Sequence, residues 1–107
     1  MKHLYKIKKI TDTNGKEKTD YNSKNRMGRI FVIDPELIMI DASAFVECIY
    51  PSWFKSIYTS YVKSILVYPD FTYFAMTTEN SVYLFERITS KDTLPSDSDI
   101  EALKEYL

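Results

Sequence analysis

The sequence has little of what several common functions depend on. It contains one cysteine, Cys48, one histidine, His3, and two glycines, Gly15 and Gly28. A single cysteine excludes an intramolecular disulfide and a zinc site built from several cysteines. Phosphate-cradling loops need closely spaced glycines, so two glycines this far apart argue against such a loop.

Long hydrophobic segments are also missing. The apolar runs at Ile30–Ile33, 37–40 and 65–68 are far shorter than the roughly 20 residues that cross a bilayer as a helix. The basic start, residues 1–10, lacks the apolar stretch of a signal peptide. We therefore expect a soluble, cytoplasmic protein without a membrane partner, folded as a single domain over residues 1–107.

Charge is distributed unevenly, although the net charge is only −1. Residues 1–29 carry nine Lys and Arg against three acids, whereas residues 30–107 carry five against twelve. A basic segment of this kind is typical of nucleic-acid-binding proteins. Lysines also protect the exposed edge of a first strand, and we favour that interpretation because the acidic remainder repels phosphate. The candidate nucleic-acid-binding residues are Lys6, Lys8, Lys16, Lys18, Lys24, Arg26 and Arg29.

The strongest structural signal lies in residues 71–88, where aromatic and β-branched residues alternate with period two on either side of Glu79-Asn80. This pattern predicts a β-hairpin whose turn uses Asn80 at positive φ. We expect Phe74, Val82 and Leu84 to face the core.

Weaker patterns predict further strands and one long loop. In the first strand, residues 4–10, Tyr5 and Ile7 lie on the face opposite Lys6 and Lys8, and the following Asn14-Gly15 is a strong hairpin signal. Residues 17–26 are too polar for a convincing partner strand, so we expect a long, mobile loop there. Strands are also predicted at residues 29–34, 44–50 and 62–68, with a buried run at 37–40 and either a short strand or a helical turn at 56–61.

The composition changes after Ile88. Residues 89–95 are predicted to be a linker, and Ser98 to Glu101 have the form of a helix capping box. Ile100, Leu103 and Leu107 then follow with the spacing of one helix face. The fold class predicted is mainly β: a small, strongly bent antiparallel sheet of about five or six strands closing into a barrel over residues 3–88, with a short C-terminal helix.

Three short segments carry a resemblance to known proteins: residues 25–29 (NRMGR), 59–65 (TSYVKSI) and 78–85 (TENSVYLF). In this order they resemble small uncharacterised SH3-like β-barrel proteins of Gram-positive phages and mobile elements. The resemblance covers about residues 5–88, without residues 36–44 and the C-terminal helix. It implies a small barrel without known catalysis, and a place among phage accessory proteins, some of which inhibit host defence.

Catalytic and metal-binding patterns are weak. A catalytic Cys48–His3 pair would require a strand cysteine to meet an N-terminal histidine, and Cys48 fits better as a small buried hydrophobe. Asp34, Glu36 and Asp41 could hold a hard cation, but acids are commoner in turns between strands. We predict no enzyme activity, metal or cofactor. The hydroxyls of Thr59-Ser60 are expected to bond backbone groups where a strand bends.

Aromatic residues cluster around Pro51, and these candidate partner-binding residues are Tyr50, Trp53, Phe54, Tyr58 and Tyr61. A barrel needs some of these rings inside, but an exposed aromatic cluster marks a recognition surface. Only Lys55 and Lys63 lie nearby to contact phosphates, so another protein fits better as a partner than a nucleic acid. Trp53 would either plug one end of the barrel or anchor a partner, and a homo-oligomer stays an open alternative.

Overall fold

The structure, a computed structural model, describes residues 1–51, 56–90, 94 and 103–107. Its strands form a closed antiparallel barrel in chain order, and the last strand pairs with the first. The strands are β1 (His3–Thr11), β2 (Ile30–Ile33), β3 (Ser43–Tyr50), β4 (Ile57–Val67), β5 (Tyr73–Thr78) and β6 (Val82–Arg87). A short helix, α1 (Tyr21–Met27), connects β1 to β2. The prediction of a small, mainly β barrel is confirmed.

The barrel interior is built largely from aromatic rings. Phe74 and Phe85, opposite each other in the β5–β6 register, stack with their centroids 4.5 Å apart. The ring of Tyr5 meets Phe74 edge-on at 4.8 Å, and Phe31 meets Phe85 at 6.2 Å. Tyr5 and Ile7 face inward while Lys6 and Lys8 face outward, as the alternation on β1 predicts.

The predicted hairpin exists, but the inward face predicted for its second strand is wrong. Phe74 is buried as expected, whereas Val82 and Leu84 are only half-buried and the residues between and after them, Tyr83 and Phe85, fill the core. Both faces of β6 carry apolar residues, so alternation alone does not identify the inward one. The cross-strand pairing of Phe85 with Phe74 decides it, because directly paired residues share a face of the sheet.

The turn of this hairpin also differs from expectation. Asn80 does not have a positive φ; Thr78 closes the turn instead. The Thr78 hydroxyl oxygen accepts hydrogen bonds from the backbone N–H of Ser81 at 3.1 Å and of Asn80 at 3.4 Å, and the Thr78 N–H donates to the Ser81 carbonyl at 2.8 Å. A threonine side chain thus replaces the left-handed residue as the turn-forming device.

The long loop predicted over residues 17–26 is wrong in its second half, where α1 forms. Asp20 caps this helix: its carboxylate accepts bonds from the Ser23 backbone N–H at 3.2 Å and from the Ser23 hydroxyl at 2.8 Å. The Arg26 guanidinium donates to the Tyr83 hydroxyl at 2.8 Å and ties the helix to β6. Met27 at the end of α1 packs against the main core, but the other residues of the helix are polar or, like Tyr21, exposed, so its sequence has no apolar periodicity that could reveal it.

The Asn14-Gly15 turn before α1 forms as predicted. Gly15 has φ +89°, and the Asp12 carboxylate accepts the backbone N–H groups of Asn14 and Lys16. Beyond the turn only a single bridge forms, between Thr11 and Glu17.

Strand β4 joins the two segments predicted separately at residues 56–61 and 62–68. Its first half pairs with β3 and its second half with β5, with a register shift between Val62 and Ser64. The buried Thr59 hydroxyl accepts the N–H of Ala44 at 3.0 Å and donates to the Ser60 carbonyl at 2.8 Å. The predicted role of this hydroxyl in the bent strand is confirmed.

A second apolar cluster is formed by Leu4, Ile30, Val32 and Ile88. Leu103, Tyr106 and Leu107 pack against it, and residues 103–106 form a 3-10 turn. The capping box predicted at 98–101 and most of the predicted linker lie outside the described residues. None of the helices in the described ranges has the length and apolar character needed to cross a bilayer.

Candidate functional site

Large apolar side chains are exposed together on the outer side of β3, the first half of β4 and the segment before β3. Tyr58 is 74% exposed, Leu37 73%, Met39 70% and Phe45 56%. We call this surface the aromatic face; its residues are Leu37, Met39, Ile40, Phe45, Tyr58 and Tyr61. The prediction that residues 37–40 are a buried run is therefore wrong. That segment follows a 3-10 turn at Pro35–Leu37, and only Ile38 packs against the main core.

Strand geometry sets the centre of the aromatic face. Residues Ser43, Phe45 and Glu47 of β3 point outward, while Ala44 and Val46 point into the barrel. Phe45 lies opposite Tyr58 of β4, and their rings meet 4.9 Å apart at 46°. A cross-strand aromatic pair of this kind stabilises a hairpin by about 0.2–1 kcal/mol. Stabilisation of the β3–β4 hairpin explains the Phe45–Tyr58 pair, but it does not explain why the apolar residues around that pair are exposed.

A groove of about 330 Å³ extends the aromatic face toward β2. Leu37, Met39 and Phe45 line it, together with Glu47 and Asp34. Because Phe45 both lines the groove and contacts Tyr58, the groove and the aromatic pair form one continuous surface.

The five aromatic residues predicted to bind a partner do not share one location. Tyr58 and Tyr61 lie on the aromatic face, 74% and 53% exposed. Tyr50 is half-buried and packs against the second apolar cluster, on another part of the barrel. Trp53 and Phe54 lie outside the described residues, so the choice between plug and anchor for Trp53 stays a prediction.

Sequence reasoning missed four members of this surface: Leu37, Met39, Ile40 and Phe45. The run at 37–40 follows Asp34-Pro35, where a strand ends, and that position could have indicated a loop rather than a core segment. Phe45 alternates with the inward residues Ala44 and Val46, so its outward direction follows from the parity of β3.

Several of the predicted nucleic-acid-binding residues make contacts within the protein. Lys6 and Lys8 lie 3.1 and 3.5 Å from the two carboxylate oxygens of Glu86. The Lys18 ammonium donates to the Ser81 hydroxyl at 2.7 Å. Arg26 donates to Tyr83, as described above. These four cations thus contact β6 or the turn before it, from β1, from α1 and from the segment between them.

The remaining predicted cations are spread over different elements. Lys16 is exposed in the turn after β1, and Lys24 is exposed on α1. Arg29 is half-buried and, with Lys6 and Tyr50, lines a cavity of about 220 Å³. Tyr50 of the predicted aromatic set thus lies beside two cations of the predicted basic set.

Glu86 is the centre of a small polar network on the outer face of β6. The Tyr73 hydroxyl donates to Glu86 at 2.8 Å, and this bond, together with Lys6 and Lys8, lowers the pKa of the Glu86 carboxyl. The Lys8 ammonium also lies 5.3 Å from the centre of the Tyr73 ring. Glu86 therefore stays ionised and compensates the cations of β1.

The described residues include no group of side chains that could hold a metal ion, and the residues considered above for catalysis or metal binding have other contacts or environments. Burial raises the pKa of the Cys48 thiol, which opposes its use as a thiolate nucleophile. His3 packs against the ring of Phe71 at 5.9 Å. Asp34 pairs with the Met1 amino group at 2.9 Å, Asp41 pairs with Lys63 at 3.4 Å, and among the residues described no three His, Cys, Asp or Glu side chains could hold a metal ion.

Comparisons with protein families, with curated proteins and with solved structures found no match to this chain.

Proposed function

We propose that this chain is a non-catalytic, cytoplasmic protein-binding domain that holds its partner on the aromatic face. The observation that carries the proposal is the exposure of large apolar side chains that adjoin one another: Phe45 contacts Tyr58 and lines one groove with Leu37 and Met39. Exposed apolar area of this kind is costly in water and marks interaction sites. Aromatic residues and methionine are enriched in the buried centres of protein interfaces, and this surface has both.

Within this class, we propose a small SH3-like barrel of phage or mobile-element type that inhibits or regulates a host defence protein. The support for this sharper version is the resemblance carried by residues 25–29, 59–65 and 78–85. Residues 78–85 form the turn of the β5–β6 hairpin and the first four residues of β6, and 59–65 belong to β4, so these segments build part of the barrel and, through Tyr61, part of the aromatic face.

The test replaces the aromatic pair and measures binding. Tagged wild-type protein and the Phe45→Ser/Tyr58→Ser variant are used to capture partners from host cells, and the candidate is then purified for titration calorimetry. We expect the variant to bind at least about 30-fold more weakly, the loss expected for a hot spot of about 2 kcal/mol. Leu66→Ser is the matched control, because Leu66 is 59% exposed on the second half of β4, outside the aromatic face.

The outcome that contradicts the proposal is equal binding by wild type and by a folded Phe45→Ser/Tyr58→Ser variant. The sharper version has its own test, in which the chain is expressed in host cells that carry defence systems and phage plating is measured. Restored plating that depends on Phe45 and Tyr58 is expected; unchanged plating with every system would contradict a role in defence.

The alternative function is nucleic-acid binding by the basic third of the chain. Of the candidate residues, Lys16 and Lys24 are exposed and support it, whereas the pairing of Lys6 and Lys8 with Glu86 weakens it. Retention on heparin that falls steeply as salt rises would favour this alternative over protein binding.

A further inference from the structure

The charges around the aromatic face are predominantly acidic. Glu47 lies on the outer side of β3 and lines the groove next to Phe45, and Glu36 precedes Leu37 in the 3-10 turn. Glu79 is exposed beside Tyr61, whose backbone N–H it accepts at 3.3 Å. In the described part of the chain, none of these three carboxylates forms a salt bridge.

Within the ranges that the structure describes, fewer cations than carboxylates lie on this side. Lys63 pairs with Asp41, and the amino group of Met1 pairs with Asp34. Lys2 lines the groove together with Asp34. Among the described residues near the aromatic face, the three carboxylates without a salt bridge therefore outnumber this one remaining lysine, and the charge there is predominantly negative.

We infer that the partner binds the aromatic face through a basic segment in which a bulky apolar side chain is flanked by Lys or Arg. This inference rests on the proposed function and specifies its partner. The apolar side chain enters the groove between Leu37, Met39 and Phe45, and the flanking cations meet Glu36 and Glu47. The groove volume of about 330 Å³ is at the small end of the range for ligand sites, about 300–1,000 Å³, and suits an anchoring side chain.

A second copy of this chain is a poorer occupant. Two of its three lysines on β1, Lys6 and Lys8, are already compensated by Glu86, which leaves Lys9 on that strand. A head-to-tail contact between a basic face and an acidic face would also tend to form open chains rather than a closed dimer. The experiment must therefore distinguish self-association of this chain from binding of a basic segment of another protein.

The experiment uses a displayed library of random peptides, panned on the full-length protein. We expect enriched peptides to combine a bulky apolar residue with a net positive charge, and to bind more weakly as salt rises, because exposed charges are screened within about 10 Å at 0.1 M salt. Synthetic versions are then titrated against wild type, Glu36→Lys/Glu47→Lys, Phe45→Ser/Tyr58→Ser and the Leu66→Ser control.

The charge variant should reduce affinity for the basic peptides by about tenfold or more, with rim charges acting mainly on the association rate. Glu36→Gln/Glu47→Gln removes charge without reversing it and should give a smaller loss of affinity. This variant also keeps the inference testable if Glu36→Lys/Glu47→Lys does not fold. Replacing Lys and Arg of the peptides by Glu should abolish binding to wild type and restore it to the lysine variant.

Failure of this inference differs from failure of the proposed function. Enriched peptides that are neutral or acidic, no enriched peptide at all, or equal affinity for wild type and both charge variants would overturn the basic-segment inference. Self-association of wild type that the charge variant abolishes would also overturn it, in favour of a second copy. Peptides that bind Phe45→Ser/Tyr58→Ser as well as wild type would instead contradict the aromatic face as the binding surface.

Discussion

Replacing Phe85 with alanine tests the packing of the barrel interior. Phe85 is 1% exposed and is in ring contact with Phe74, Tyr5, Phe31 and Tyr83. Removing this ring deletes its buried area and leaves a cavity that rigid neighbouring rings cannot fill. A phenylalanine-to-alanine change in such a site costs about 3–5 kcal/mol.

This loss is large compared with the total stability of a small domain, about 5–15 kcal/mol. In a domain of this size each kilocalorie shifts the melting temperature by about 4–8 °C, so Phe85→Ala should melt at least about 12 °C below wild type. The free energy of unfolding is measured by urea denaturation followed by circular dichroism. Phe85→Leu keeps most of the volume and should recover much of the loss.

The neighbouring residue provides the control. Leu84 is half-buried on the opposite face of β6, across from Ala75 and Lys9, so Leu84→Ala should cost only about 1 kcal/mol. A loss for Leu84→Ala as large as that for Phe85→Ala would refute the register described here, in which Phe85 opposes Phe74.

Three further predictions concern titration and helix capping. Burial raises the pKa of Tyr5 to about 12 from 10.0, so the unfolded chain loses the hydroxyl proton at a lower pH than the folded protein does. The free energy of unfolding should therefore fall as pH rises from about 10 to 12. Tyr5→Phe should flatten that part of a curve of unfolding free energy against pH. Burial and the neighbouring Arg87 lower the pKa of His3 below 6.5, so the unfolded chain binds a proton at this imidazole more readily than the folded protein does. The free energy of unfolding should therefore fall as pH drops below about 6.5. An NMR titration of His3 in the folded protein with a midpoint at or above 6.5 would contradict the lowered pKa. Asp20→Ala should lower the urea concentration at the unfolding midpoint through loss of the α1 cap, whereas Asp20→Asn should keep that midpoint close to wild type.

The sequence predicts the inward face of a strand correctly where apolar residues occupy one face and charged residues the other. On β1 the lysines identify the outer face, and Tyr5 and Ile7 accordingly point inward. On β6 both faces are apolar, and the inward one follows from pairing with a distant strand, which no local pattern contains. No local sequence pattern predicts helix α1, for a related reason: the hydrogen bond from Arg26 of α1 to Tyr83 joins residues that are far apart in the sequence.

The candidate site was predicted in part. The exposure of Tyr58 and Tyr61 agrees with the choice of aromatic residues around Pro51, whereas Tyr50 packs elsewhere. The exposure of residues 37–40 was not foreseen, because an apolar run in a short β protein is normally buried. If the aromatic face binds a partner as proposed, its exposed apolar residues are an exception to that rule, and a local apolar pattern does not reveal such an exception.

The pairing of β1 with β6 has a consequence for how the protein is made. β1 leaves the ribosome first, but its partner β6 ends at Arg87, and at about 5–20 residues per second the delay is roughly 4–15 s. During this interval the edge of β1 that will pair with β6 has unpaired backbone N–H and C=O groups, and these can pair with another nascent chain. Lys6, Lys8 and Lys9 lie on that strand, and their charge would hinder such pairing until Glu86 arrives to neutralise two of them.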